Sequence, residues 1–456
     1  MGNTAGETRP GRSAGQGVSS GLDRVREVAG RDKEARFTAL LHHVTEHRLM
    51  LAFDDLNPRA APGVDGVTWQ GYDQDWGSRL RDLHGRVQSG RLRAVPSRRV
   101  YIPKADGRLR PLGVASLEDK IVQRALAEVL NAVYEQDFLG FSYGFRPGRS
   151  PHDALDALVA GMYRKKVNWV LDADIRDFFT SLDRGWLEKF LRHRIGDERV
   201  LRLIGKWLAA GVIENGSWTE AQGSPQGASL SPLLANVYLH YAFDLWAEWW
   251  RKTQARGDVI IVRFADDFIT GFEYREDAEA FLAALSERFA RFSLELHPDK
   301  TRLIEFGPHA ARNRAARGEG KPETFKFLGF AHICRTSRSG RFWVQRKTDP
   351  KRMTAKLKQV KAEIMRRRHL PVPEQGKWLA SVVGGHQRYY AVPGNYDPVH
   401  AFRTQVTRHW HHALRRRSQK TRNTWERTNR LAGRWLPRTR ILHPYPEQRF
   451  AATHPW

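Results

Sequence analysis

The sequence predicts an α+β fold followed by an all-α, strongly basic region, and three observations carry that expectation. Up to residue 348, short Val- and Ile-rich runs alternate with amphipathic segments. Beyond it, helix-like segments follow one another between Pro, Gly and Asn breakers. Charge divides the same way: Lys351 to Trp456 holds 23 Lys/Arg against 5 Asp/Glu, which is +18 of the chain's +26.

Length and composition bound the rest. At 456 residues, with 76 Lys+Arg and 50 Asp+Glu, the chain can form two or more domains and calls for a polyanionic partner, nucleic acid above all. No apolar stretch approaches the roughly 18 residues of a membrane-spanning helix, so no membrane partner is expected. Residues 1–21 lack the apolar core of a signal peptide and read as a disordered tail. Cys334 is the single cysteine; it excludes an internal disulfide and a Cys-rich zinc module, and a reducing cytoplasm is expected.

In chain order, Ser150-Pro151 with Asp153 marks a helix start: a capping hydroxyl, a proline in the first turn and a first-turn carboxylate. "VNWVLDADI" and "VIIVRFADD" read as central strands ending in acid, and Ser231-Pro232 opens a second helix, "LLANVYLHYAFDLW". The basic region reads as four helices: "PKRMTAKLKQVKAEIMRRRHL", "EQGKWLASVVGGHQRYYAV", "DPVHAFRTQVTRHWHHALRRRSQ" and "NTWERTNRLAGRWL". With few acidic residues to pair with, Arg366, Arg367, Arg368 and Arg415, Arg416, Arg417 read as phosphate-binding in preference to a solvated helix face. His409, His411 and His412 invite a metal reading, but no carboxylate lies beside them and the segment is read as an RNA-binding helix.

The aspartates carry the chemistry. Strand alternation puts Asp172 and Asp174 on one face. If Asp174 meets Asp266 and Asp267 at one sheet edge, the charges repel by several kcal/mol at short range, so a cation belongs between them. All-oxygen ligation suits Mg2+, and two ions about 3.5 to 4 Å apart are the usual device for in-line phosphoryl displacement. A lone Asp-Asp pair also fits a solvated turn; the order of the surrounding motifs decides.

"FADD" resembles the aromatic-x-Asp-Asp box of reverse transcriptases, "DADIRDFFTSLD" their first palm motif, "GSPQGASLSPLLANVYL" the glycine-loop-plus-helix motif between them, and "LELHPDKTRLIEF" and "FKFLGF" the two that follow. "APGVDGVTW", "RRVYIPKADGRLRPLGVASLEDKIVQRAL" and "FSYGFRPGRSPHDAL" resemble finger motifs of group II intron reverse transcriptases, and the stretch from "GHQRYYAVPGNYDPVHAF" to "ILHPYP" their maturase (X) domain.

The resemblance implies a right-hand polymerase: fingers over 22–166, a palm with an antiparallel sheet over 167–348, a helical thumb and RNA-binding maturase domain over 349–440, and a C-terminal tail over 441–456. It implies that Asp174, Asp266 and Asp267 bind metal and catalyse, with the Ile175 carbonyl as a further ligand and Asp172 as a neighbour. Phe179 would exclude a 2′-hydroxyl, Gln226 would pack on the incoming nucleotide between Gly223 and Gly227, and Lys104 and Arg110 would grip the triphosphate. Lys300 would give a proton to pyrophosphate, and Arg146 and Arg149 would touch a template backbone. On the residues alone, Lys104, Arg110 and Lys300 are also compatible with ordinary surface charge, and Arg146 and Arg149 with structural loop arginines.

The implied partners are group II intron RNA, an RNA template with a DNA primer, deoxynucleoside triphosphates and target DNA. The oligomeric state stays open, a monomer within a ribonucleoprotein being one arrangement. One cysteine cannot supply the zinc-stabilised HNH endonuclease that many members carry, which matches the bacterial class C group and a protein of the cytoplasm, near the nucleoid when it acts on DNA. The implied function is RNA-directed DNA synthesis with assistance to splicing and retrohoming. A splicing-only maturase with a silent polymerase, and a host-recruited reverse transcriptase in repair or phage defence, are the alternatives.

Overall fold

The structure, a computed structural model, describes residues 19–103, 109–214, 216–220, 227–337, 339–418 and 423–453. Its strands are β1 (Ser97–Pro103), β2 (Leu109–Val114), β3 (Trp169–Asp174), β4 (Val212–Glu214), β5 (Ser217–Thr219), β6 (Val259–Phe264), β7 (Asp267–Phe272), β8 (Arg302–Glu305), β9 (Phe325–Phe327), β10 (Phe330–Thr336) and β11 (Phe342–Thr348). They form three sheets among the described residues, ordered β2-β1-β4-β5, β6-β7-β3-β8 and β11-β10-β9. From Pro350 onward the described elements are helices alone, as the sequence predicts.

The β6-β7-β3-β8 sheet is antiparallel throughout. Its strands read as continuous apolar runs because both faces are covered. Ile261, Phe268 and Phe272 turn into a core shared with Leu126, Phe190, Tyr238 and Phe281. Ile260, Val262 and Ile269 turn into a second core with Leu155, Phe306, Phe327 and Phe330. The alternation of strand side chains thus feeds two cores from one run. A third core, with Ile364, Leu379, Phe402 and Trp410, lies among the C-terminal helices.

Helix starts obey local chemistry in one case and depart from it in another. Ser150 caps Pro151–Arg164 as a capping box: its hydroxyl accepts from the Asp153 N–H, and the Asp153 carboxylate accepts from the Ser150 N–H at 2.7 Å. The helix Ser231–Leu239 instead has Leu230 at its N-cap, with Ser231 already inside the first turn and Pro232 following. It continues through a π-helical turn, His240–Asp244, into Leu245–Thr253.

The sequence reading differs from the structure at both ends. A helix already begins at Ser19, inside the stretch read as a disordered tail, while residues 1–18 lie outside the described residues. Within the expected C-terminal tail, Pro446–Thr453 form a helix packed on Pro151–Arg164. The physical reason is Asp156, a buried carboxylate that pairs with Arg346 of β11 at 2.6 Å and with Arg449 of this last helix at 3.1 Å. A buried charge needs partners, and the chain returns to supply one.

Candidate active site

β3 and β7 are neighbours in the central sheet, and their register sets Asp174 opposite Asp267. β6 and β7 form a hairpin closed at Phe264 and Asp267, so Ala265 and Asp266 are its two-residue loop. Ala265 takes the left-handed conformation, φ 59°, that such a loop demands and that glycine usually supplies. Strand pairing therefore delivers the three aspartates predicted from sequence to one edge.

The charges interact as their closeness requires. Burial first, then the charges of Asp172, Asp266 and Asp174, push the Asp267 carboxyl well above the usual carboxylate range. Burial also raises Asp266, with Asp174 adding to the rise and Arg110 and Lys300 opposing it. Asp172 is raised by burial and answered by Arg302 at 3.3 Å, so it is a neighbour with its own partner. Among the described residues no group of three or more His, Cys, Asp or Glu is placed so as to hold a metal ion. The Asp174 carboxylate is met by the Lys300 ammonium instead. In chemical kind the donors suit a hard divalent cation: they are all carboxylates, partly desolvated, and their mutual repulsion is relieved by positive charge.

Backbone bonds shape the same edge. The Arg176 N–H donates to Glu295 O, and the His297 N–H donates to Asp174 O, both at 2.8 Å. Ile175 lies between them in a bridge to Leu296 that does not use its own carbonyl. Phe179 is buried in the short helix Phe178–Ser181, edge to face with Phe178. Arg110 is exposed on β2, opposite Ile102, and its charge reaches Asp266. Gly227 has φ 107°, and a Cβ there would come within 2.7 Å of the Gly113 carbonyl of β2, so this motif glycine is required by close approach. Lys104, Gly223 and Gln226 lie outside the described residues.

The structure gives the predicted arginines different surroundings. Arg146 is 6% exposed and spends its guanidinium internally, on Glu135 at 3.0 Å and on the carbonyls of Leu139 and Ser142, both at 2.8 Å. It ties its own loop together, where an exposed arginine was expected. Arg149 is half-buried, donates to the Gly140 carbonyl at 2.6 Å and lies over the Tyr143 ring. Arg366 and Arg367 both pair with Glu363, at 2.8 and 2.5 Å, an acidic partner one helical turn away. Arg368 donates to Met365 O. Arg415 and Arg416 are exposed, while Arg417 donates to the His369 and Leu370 carbonyls and so brings the two arginine runs side by side. His411 shares a hydrogen bond with Thr428 at 2.8 Å and stacks on Trp425.

Sequence reasoning missed the support beneath the turn. Arg263 is fully buried in β6. It pairs with Asp244 through two bonds of 2.7 and 2.5 Å, and donates to Ser142 Oγ at 2.7 Å, Asn236 Oδ1 at 3.1 Å and the Ala265 carbonyl at 3.0 Å. Asn236 in turn donates to the Gly144 carbonyl at 2.7 Å. Any Cβ on Gly144 would come within 2.2 Å of the Ala265 nitrogen, so the loop 141–144 lies directly against the aspartate turn. An arginine inside "VIIVRF" was the available signal, since a charge in an apolar strand must have a buried partner.

The family model for reverse transcriptase (RNA-dependent DNA polymerase) matches residues 102–332. The chain is 32% identical to Protein YkfC of Escherichia coli K12 over 352 residues, 68% of this chain and 87% of that protein. It is 31% identical to the Group II intron-encoded protein LtrA of Lactococcus lactis subsp. cremoris over 48% of this chain and 37% of that protein. To the Putative COX1/OXI3 intron 2 protein of Saccharomyces cerevisiae it is 27% identical, over 69% of this chain and 34% of that protein. The match thus spans most of the first relative's length but about a third of the two intron-encoded ones.

Proposed function

Since the chain belongs to the reverse transcriptase family and is an RNA-directed DNA polymerase related to group II intron-encoded proteins, we propose that Asp174, Asp266 and Asp267 are its catalytic carboxylates. The observation that carries this reading is the register of Asp174 against Asp267 with Asp266 in the adjoining two-residue turn. On this reading residues 22–166 are fingers, 167–348 the palm and 349–440 the thumb and maturase domain.

The family uses divalent metal ions and deoxynucleoside triphosphates; here the three aspartates, with the Ile175 carbonyl, would hold Mg2+. Two such ions supply activation of a primer 3′-hydroxyl and neutralisation of the triphosphate. The chain's own groups do the rest. Arg110, whose charge already reaches Asp266, grips the triphosphate with Lys104. Phe179 lies under the sugar and rejects a 2′-hydroxyl, and Gln226 packs on the nucleotide. Lys300, on Asp174 in the structure, would be placed to donate its proton toward pyrophosphate. The exposed Arg415 and Arg416, with the neighbouring 366–368 run, bind intron RNA, so that one protein assists splicing and copies the RNA after insertion.

The test is extension of a DNA primer on an RNA template by purified protein with Mg2+ and deoxynucleotides, beside the Asp266→Ala/Asp267→Ala protein. Extension by wild type alone is the expected result. Extension by both proteins removes the aspartates from the chemistry. Failure of both, with tight RNA binding retained, leaves a maturase without polymerase activity.

A further inference from the structure

We propose that Phe145 is a nucleobase-binding residue of the polymerase centre, its ring stacking on the base that enters beside the aspartate turn. The inference rests on the polymerase reading above. Phe145 is 53% exposed, although a phenylalanine normally seeks a core, and its φ of 60° lies in the left-handed region that an aromatic residue occupies only at a cost.

The surrounding bonds hold that conformation from both sides. The Tyr143 N–H donates to the Arg263 carbonyl at 2.8 Å, and the Gly144 carbonyl accepts from Asn236. The next residue, Arg146, is anchored to Glu135, Leu139 and Ser142. Tyr143 and Arg146 are buried, so between them the loop presents the Phe145 ring outward. It does so one residue from Gly144, whose missing Cβ lets the loop touch Ala265. An apolar planar ring, exposed on a loop whose preceding residue touches the aspartate turn, matches a base, since stacking needs a flat partner and little hydrogen bonding. The base comes from one of two sources, the templating strand or the incoming nucleotide.

The experiment compares wild type with Phe145→Leu, Phe145→Gly and Phe145→Tyr, all checked for thermal unfolding no lower than wild type. Primer extension at varied deoxynucleotide gives KM and kcat, and fluorescence anisotropy gives affinity for a primer–template duplex with and without a template overhang. Loss of stacking weakens binding about tenfold. If the incoming nucleotide is the partner, KM rises about that much in the Leu and Gly proteins. If the templating base is the partner, the overhang loses its contribution to affinity instead. In either case Phe145→Tyr retains wild-type behaviour.

Three results overturn the proposal: all variants matching wild type, Phe145→Tyr as defective as Phe145→Leu, or Phe145→Gly, which relieves the backbone, equalling wild type. An inactive wild type defeats the polymerase reading and this one with it. An active wild type with indifferent variants defeats this one alone.

Discussion

At the aspartate turn, Arg263 is sealed from solvent and its guanidinium is shared among Asp244, Ser142, Asn236 and the Ala265 carbonyl. On the helix Tyr396–Arg415 and just beyond it, Arg415 and Arg416 stand in solvent. The residue type is the same, but the medium decides what it does. In the interior a cation is fixed by geometry and in turn fixes the turn that carries the carboxylates. At the surface it keeps its hydration and long reach, which suits attraction to phosphates along an RNA.

The sharpest way to break that contrast is to remove the buried cation. Arg263→Met leaves Asp244 charged and unpaired in the interior, and about 3 to 5 kcal/mol of stability should be lost, read as a lower urea midpoint. Adding Asp244→Leu should recover much of it, because the orphan charge is then gone. A single variant within about 0.5 kcal/mol of wild type would show that the network is not holding the turn.

The surface arginines predict a different signature. Arg415→Ala/Arg416→Ala should leave the urea midpoint within about 0.5 kcal/mol of wild type. It should flatten the dependence of log affinity on log salt by about 1.4 to 1.8 for intron RNA, from about 0.7 to 0.9 per phosphate contact. An unchanged slope in a salt titration would place the RNA elsewhere.

A separate signature is that of pH. Burial first, and nearby positive charge second, push both His152 and His332 down to about 3. Each takes up a proton on unfolding at pH values below its ordinary 6.5 but not while folded until pH approaches 3. The stability that depends on their neutral form is therefore complete above pH 6.5 and lost as pH falls toward 3. Urea midpoints at neutral and mildly acidic pH should fall less for His332→Phe than for wild type; equal losses would exclude this histidine as a source.

How much of this was legible depends on how local the cause is. The strands around Asp174 and Asp267 were readable because β-branched runs and turn chemistry are local signals, and Ser150 was readable because a capping box spans four residues. Arg263 was not, because its partners lie 19, 27 and 121 residues away and only the packed sheet brings them together. The π-helical turn that ends on Asp244 has no sequence mark either. Arg146 was misread for a related reason: a Pro/Gly loop looks exposed from sequence, but Glu135, eleven residues earlier, draws the guanidinium inside. In the basic region Glu363 was overlooked because net charge hides a single well-placed acid.

The most direct measurement sets the two regions against each other in one protein. With Asp266→Asn/Asp267→Asn, which keeps side-chain shape and removes charge, RNA-templated extension and RNA affinity are measured on the same preparation. The account predicts extension abolished and RNA affinity within about twofold of wild type, a difference of about 0.4 kcal/mol. Extension that persists in this protein would contradict it, because synthesis would then proceed without the paired charges at the turn.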